Sequence, residues 1–408
     1  MDEDLSAPTA AEPAGGWRGV LSRLNGMDWL AIALLVAGGI FVAAGLLPVH
    51  EAGKTLDRIF PILVFLFSVV VLAELTAEAE VFEVIATRIT IAARGRNAAL
   101  FALCLAFAAL TTIFLNLDTT AVLLTPVMIA TAVRAGVAPL PLAMTTVWLA
   151  NTASLLLPVS NLTNLLAAKR VDLSPLAFAG KMLLPQLAAL FMVAACLWIF
   201  YWRSNPPRYT PPGPHRATNR PLFFGASACC ATFIAGILID LPLYFVTPAC
   251  AAVLVAVFAK WGRPHLRWSL VPWRLIVFVT GLFLVVDTVS LHGLGSWMAA
   301  LIGADPGAEG TWRAALTGGA LSNVLNNLPS YVAGEKVIPD ANDQQLLGLL
   351  IGTNVGPLIT PWASLATLIW AEHCRNRAVT VHWGKFVLTG AATAAVVLAA
   401  SVATLIAF

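Results

Sequence analysis

Few side chains in this 408-residue sequence are suited to chemistry, and they gather in four polar runs. The first is Asn116-Leu117-Asp118-Thr119-Thr120, followed by Thr125 and Pro126. Asp118 is the only charge between Arg96 and Arg134. An acid at membrane depth costs about 2.5–3.5 kcal/mol on insertion scales, so it is expected to face a bundle interior or water. An acid held away from water resists ionisation, which suits it to binding and releasing a proton, whereas a coordinated Na⁺ would keep it ionised. The bland alternative is a helix cap at a hairpin tip. The second run, Ser322 to Ser330, holds Asn323, Asn326 and Asn327 with two hydroxyls and no acid. The third holds Asn151, Thr152, Ser154, Ser160, Asn161, Thr163 and Asn164, and the fourth Thr353, Asn354, Thr360, Ser364 and Thr367. Amides in lipid need partners, so they either close broken helix backbones, glue helices together or coordinate a polar solute. No Lys or Arg lies in any of the four runs. A neutral solute or a small cation therefore fits more simply than a multivalent anion.

The elements that carry these runs must be membrane helices. Hydrophobic residues make up 59% of the chain and charged ones 11%, with a mean hydropathy of +0.84. Soluble domains carry roughly 25% charged residues. That contrast excludes a soluble enzyme and a disordered chain. A net charge of +3 shows no basic stripe for nucleic acid. The six cysteines (Cys104, Cys196, Cys229, Cys230, Cys250, Cys374) have no metal-binding spacing, so neither a metal nor a cofactor is expected. A polytopic membrane enzyme is a distant alternative, because an aspartyl protease needs two facing acids and no HExxH or GxSxG motif is present.

Uncharged runs of span length occur at 30–47, 97–117, 182–202, 221–239, 241–259, 314–334 and 386–408, with shorter ones at 59–73 and 275–286. Residues 135–168 and 346–371 are too polar in their middles for plain spans. Residues 1–26 read as a disordered cytoplasmic tail, 27–203 as a first transmembrane half, 204–220 as a Pro-rich cytoplasmic linker and 221–408 as a second half. Glu74 and Asp287 read as interfacial anchors at span ends, and 74–89 as an interfacial amphipathic helix. Lys and Arg near the span ends place the N-terminus inside.

The halves resemble each other. Residues 63–86 align without gaps on 276–299, setting Glu74 on Asp287, and 151–167 align on 354–370, setting Asn151 on Asn354 and Pro158 on Pro361. The charge rule runs the first span of each repeat in opposite directions, which makes the repeat inverted. The expectation is an all-α polytopic protein of about 10–12 transmembrane segments. It has two inverted-topology repeats, from about 57 and about 270, each with a re-entrant hairpin and a broken helix. Matching breaks in both halves point to a transporter's binding site.

The stretches NLDTTAVLLTPVMIA (116–130), NTASLLLPVSNLTNLLA (151–167), LSNVLNNLPSYVAGE (321–335) and GTNVGPLITPWASLATLIW (352–370) resemble the arsenite/antimonite efflux permeases of the ion transporter superfamily. The tail 375–390 is similar too. The resemblance implies a carrier in the cell membrane, working by alternating access on the proton gradient or membrane potential, alone or with an ATPase subunit, as a monomer or homodimer. It implies a small inorganic or organic solute, with H⁺ or Na⁺ as coupling ion. Relatives exchange Na⁺ for H⁺ or import citrate and dicarboxylates, so a Na⁺-coupled carboxylate importer and a Na⁺/H⁺ antiporter are the rival readings. The candidate binding residues are Asn116, Asp118, Thr119, Thr120, Asn151, Ser160, Asn161, Asn323, Asn326, Asn327, Asn354, Thr360 and Ser364, with Asp118 as the proton carrier.

Overall fold

The computed structural model describes residues 26–407, so the expected tail lies, up to residue 25, outside the described residues. Among these residues the structure is helical, with one isolated backbone bridge between Arg96 and Arg208. Among the described residues, eight helices are long and apolar enough to cross a membrane. The chain is a multi-pass membrane protein.

An outer pair opens it. α1 (Gly26–Ala43) lies along α11 (Trp273–Val289). α2 (Val49–Glu78) has 30 residues, about 45 Å at 1.5 Å per residue, so both ends pass beyond a hydrocarbon core of about 30 Å. The expected amphipathic helix over 74–89 is instead divided: α2 runs on through Glu78, Glu80 takes a left-handed conformation (φ 61°), and α3 begins at Val81 (Val81–Ala92). α4 (Asn97–Leu115) enters the membrane and stops at Asn116, from which α5 (Leu117–Arg134) returns. Both arms touch α3, so they start and finish at the same end. That is the first re-entrant hairpin.

The broken helix follows as α6 (Pro139–Thr152), two short 3-10 turns and α7 (Leu162–Arg170). Proline explains the break. The residue before a proline is pushed out of the helical region, and Leu157, before Pro158, sits at φ −120°, ψ 149°. α8 (Pro175–Trp202) closes the first half, and α9 (Arg220–Leu238) and α10 (Leu243–Trp261) form a pair that packs on α2.

After α11 the pattern repeats. α12 (Gly295–Ile302) precedes a second hairpin, α13 (Ala308–Leu325) and α14 (Asn327–Glu335), turning at Asn326. The apolar run 314–334 is thus two arms rather than one span. α15 (Asp343–Val355) and α16 (Leu365–Asn376) flank the second break, where Thr360 before Pro361 adopts φ −118°, ψ 148°. α17 (Trp383–Ala407) ends the chain. The hairpin tips match as well: Asn116 has φ 118°, ψ 171° and Asn326 φ 90°, ψ 156°. Positive φ off glycine costs about 1–3 kcal/mol and persists only where surroundings enforce it. The same strain at the same place in both halves is the repeat read from backbone.

Close packing between α13 and α15 fixes the second repeat. Gly348, Gly352 and Gly356 are spaced four apart and face Thr311, Ala315 and Gly319, also four apart. A Cβ at Gly352 would lie 2.0 Å from the Ala315 carbonyl oxygen. Small residues at this spacing let membrane helices approach backbone to backbone.

The linker is strapped down. Asn97 N donates to Pro207 O (3.0 Å), Tyr209 N to Gly95 O (2.9 Å) and the Tyr209 hydroxyl to Thr90 O (2.5 Å). His215 Nε2 lies 2.9 Å from Glu80 Oε2, which also accepts from Thr218 N. Burial alone would push the Glu80 carboxyl up, but these hydrogen bonds outweigh it and hold the group below its ordinary value.

Candidate functional site

Asp118 stands in the wall between two cavities. The larger, about 400 Å³, is a vestibule at the linker end, bounded by Val271 of the α10–α11 loop, by Trp273 and Arg274 at the start of α11, and by Glu74, Asp118, Thr119 and Glu372. The smaller, about 40 Å³, lies at the centre between Asp118, Asn161, Asn326 and Asn327, with Leu117 and Phe278 among its apolar walls. Four of the sequence-predicted residues thus converge from both hairpin tips and from the first break. A water's share of liquid is about 30 Å³, so the central cavity is of the order of one water.

Asp118 makes no hydrogen bond or ion pair among the described residues. The cap of the short turn is Asn116, whose Oδ1 accepts from Thr119 N at 2.8 Å. Asn116 Nδ2 is buried without a partner. Thr120 donates to Asn116 O (2.9 Å) and shares a hydrogen bond with Thr112 (3.0 Å), pinning the strained tip. Capping therefore falls to the amide and leaves the carboxyl free for the cavities. Arg274, the cation on the vestibule wall, has its Nε 2.5 Å from Asp28 Oδ1. Glu74, Asp118 and Glu372 are without an ion pair among the described residues. The vestibule therefore carries uncompensated negative charge, which draws cations and protons inward and repels anions.

The other candidates lie in a buried network that joins the two broken helices. Asn354 Oδ1 accepts from Asn161 Nδ2 (2.7 Å) and Thr163 Oγ1 (3.0 Å), and its Nδ2 donates to Asn164 Oδ1 (2.8 Å). Across the pseudo-twofold, Asn151 Nδ2 donates to Thr367 Oγ1 (3.2 Å), which Ser364 also contacts at 3.0 Å. Asn161 and Ser364 cap α7 and α16, accepting from Thr163 N and Thr367 N. Ser160 donates to Ile113 O (2.7 Å) and ties the first break to its hairpin. In the second repeat Asn323 does that work, donating to Gly356 O (3.0 Å) and accepting from Thr360 N and Oγ1 (3.1 and 2.8 Å). Asn323, Asn354, Thr360 and Ser364 thus satisfy backbone and one another, Asn151 does so through Nδ2 alone with its Oδ1 buried without a partner, and none of the five borders either cavity.

Sequence reasoning missed three things. Glu74 reads as an interfacial anchor, yet it lines the vestibule with Asp118; its repeat partner Asp287 was the available signal. Glu372 and Arg274 lay outside the four polar runs. Gln186, buried on α8, accepts from Leu155 N (2.9 Å) and donates to Thr152 O (3.0 Å), closing backbone that the first break leaves open.

The profile of the citrate transporter family matches residues 20–367. The chain belongs to that family. Among its relatives, an arsenical pump membrane protein of Escherichia coli is 27% identical over 391 residues, covering 90% of each chain. One from Yersinia enterocolitica is 28% identical over 380 residues, 87% of this chain and 88% of that one. Another from Escherichia coli is 30% identical over 351 residues, 79% and 80% of the two. The YdaH transporter of Alcanivorax borkumensis shares the fold, with a TM-score of 0.54 at 14% identity over 93% of this chain and 96% of that one. The citrate transporter match extends across both hairpins and through the second break. The protein is a membrane transporter, not an enzyme.

Proposed function

We propose that this chain is a secondary active efflux permease for arsenite or antimonite, driven by the proton gradient or membrane potential through alternating access. One observation carries the reading: an unpaired carboxyl, Asp118, divides an open vestibule from a central cavity whose other polar groups are three amides among apolar walls, with no Lys or Arg. A neutral trihydroxide needs hydroxyl and amide partners and no fixed cation. Asn161, Asn326 and Asn327 supply them once the central cavity, the size of about one water in this state, widens in the transport cycle, while Asp118 exchanges the coupling proton. The linker end holds Arg88, Arg94, Arg96, Arg203, Arg208 and Arg216, so it is the cytoplasmic end of a cell-membrane protein. The relatives named arsenical pumps support the same substrate.

A Na⁺-coupled carboxylate importer is the second reading, favoured by the family's citrate transporter description. A carboxylate entering the central cavity would meet Asp118 with no side-chain cation to offset the repulsion, which ranks it lower. The deciding experiment is arsenite accumulation in a host stripped of its own arsenite exporters. Expression should lower cellular arsenite. Unchanged accumulation with well-expressed membrane protein refutes the proposal, and Na⁺-dependent carboxylate uptake in the same cells would install the rival.

A further inference from the structure

We infer that the end of the molecule opposite the vestibule is closed by a breakable charged latch, made by Arg58 with Glu335, Asp287 with Lys336 and Arg170 with Asp340. The inference rests on the alternating-access reading above and identifies the contacts that must separate for the second end to open. Arg58 Nη2 lies 2.6 Å from Glu335 Oε1, and Arg170 Nη2 lies 2.5 Å from Asp340 Oδ1. Asp287 takes Lys336 through one oxygen and the Thr55 hydroxyl through the other. Arg58 and Thr55 belong to α2 and Asp287 to the end of α11, whereas Glu335 ends α14 and Lys336 follows it. Two of the three pairs therefore join the long outer helices to the returning arm of the second hairpin. The third joins the end of α7 to the loop after that arm, where Arg170 also donates to Ile338 O at 3.1 Å.

Burial argues against a permanent strut. Glu335 is 1% exposed, yet only one of its carboxylate oxygens is bonded, and Oε2 is buried without a hydrogen-bond partner. One helical turn earlier the Tyr331 hydroxyl is likewise buried without one. Desolvating an ion pair that leaves half its lone pairs unfilled costs more than a well-packed apolar contact would. An apolar contact would close this end more firmly. A charged pair closes it in a way that water can reopen, since both partners regain hydration when they part.

The repeat supplies an independent argument. Asp287 aligns with Glu74. Asp287 is engaged at the closed end, and Glu74 is without an ion pair among the described residues, on the wall of the open vestibule. An inverted repeat caught in one state must show equivalent positions in opposite conditions at its two ends, one bound and one released. The acid pair 74/287 does so.

The test reads conformation and needs no solute, so it stands or falls separately from the arsenite assay. With the six native cysteines replaced, Val271→Cys reports on the vestibule and Ile338→Cys on the far end in protein reconstituted into nanodiscs. Glu335→Gln with Asp287→Asn removes both carboxylates at nearly constant size. Maleimide labelling should slow at Val271→Cys and quicken at Ile338→Cys by about threefold or more, as a population shift requires. Both rates staying within about 1.5-fold of the parent would show a static strut and overturn the inference. Should that double variant fail to stay monodisperse, Lys336→Gln, from a side chain 29% exposed, frees Asp287 with less disturbance, and the same two rates decide.

Discussion

Asp118→Asn isolates the coupling role from the structural one. The carboxyl makes no hydrogen bond or ion pair among the described residues, and the cap on Thr119 N belongs to Asn116. The substitution therefore leaves the bonds described at the tip intact: Asn116 to Thr119, Thr120 to Asn116 O, and Thr112 with Thr120. Folding stability should move by no more than about 0.5 kcal/mol, the range of substitutions that touch no special feature. Transport should not survive so easily. One charge carried through 100 mV is worth about 2.3 kcal/mol, a concentration ratio of about fiftyfold. Without a titrating group at the junction of the two cavities, that ratio should collapse to about one while passive exchange continues. Proteoliposomes under an imposed proton gradient and potential measure the first quantity, and counterflow at zero gradient measures the second. Melting followed by fluorescence-detected size exclusion checks the fold. An Asp118→Asn protein that builds the wild-type gradient refutes the assignment, and one that fails to fold refutes the claim that the carboxyl is structurally idle.

Three further outcomes follow from the geometry. Gly352→Ala drives a methyl to 2.0 Å from the Ala315 carbonyl oxygen, so α13 and α15 must part and pull Asn323 from Gly356 O; a loss of about 1–3 kcal/mol should appear as a lower Tm together with reduced transport. Asn354→Leu removes the acceptor of Asn161 and Thr163 and the donor to Asn164, leaving buried groups unpaired at about 1–3 kcal/mol each, a fall in Tm that Asn151→Leu, with two donated bonds to lose, should match less fully. Glu80 is held below its ordinary value, so its hold on His215 and Thr218 is present above the unfolded value of about 4.3 and is lost as pH falls through the lower folded one; trypsin cleavage at Arg216 in Glu80→Ala at pH 7 should be faster than in the wild type, and hydrogen exchange of the strap in the wild type should rise only below that window.

The breaks were legible because proline acts locally. Leu157 and Thr360 are extended for a reason contained in one dipeptide, and the spacing of Pro158 and Pro361 from Asn151 and Asn354 carried the repeat. Hairpins were harder. The runs 97–117 and 314–334 have the length and apolarity of full spans, and the backbone at Asn116 and Asn326 shows that the chain turns back at the end of the first and midway along the second. Hydropathy counts residues per segment and is blind to a reversal inside lipid when the turning residue satisfies its own backbone. The misreading of Glu74 has a similar origin. An acid near the end of an apolar run looks interfacial until the partner helices are known, and the α10–α11 loop that walls it into a vestibule is 200 residues away. Among the amides, sequence could not divide those that line a cavity from those that hold backbone, because that division depends on contacts between repeats.

That division separates two halves built on one backbone. In the second repeat the tip is tied shut: Asn326 Nδ2 donates to Trp362 O (3.0 Å), and Trp362 Nε1 donates to Asn323 O (2.7 Å). In the first repeat the matching amide, Asn116 Nδ2, is buried with no partner, and Val159 stands where the second half has Trp362. The first tip also carries Asp118, whereas the second offers only amides. A tip tied in this way is the stiffer of the two, while Asn326 and Asn327 still border the central cavity. A repeat with an idle amide and an idle carboxyl on neighbouring turns has donors and acceptors still to give. Asp118 borders both cavities, and a proton on it would turn one acceptor oxygen into a donor, changing the bonds that the tip offers a solute. Coupling and recognition can then share one hairpin tip, with the second half supplying the rigid wall against which it works.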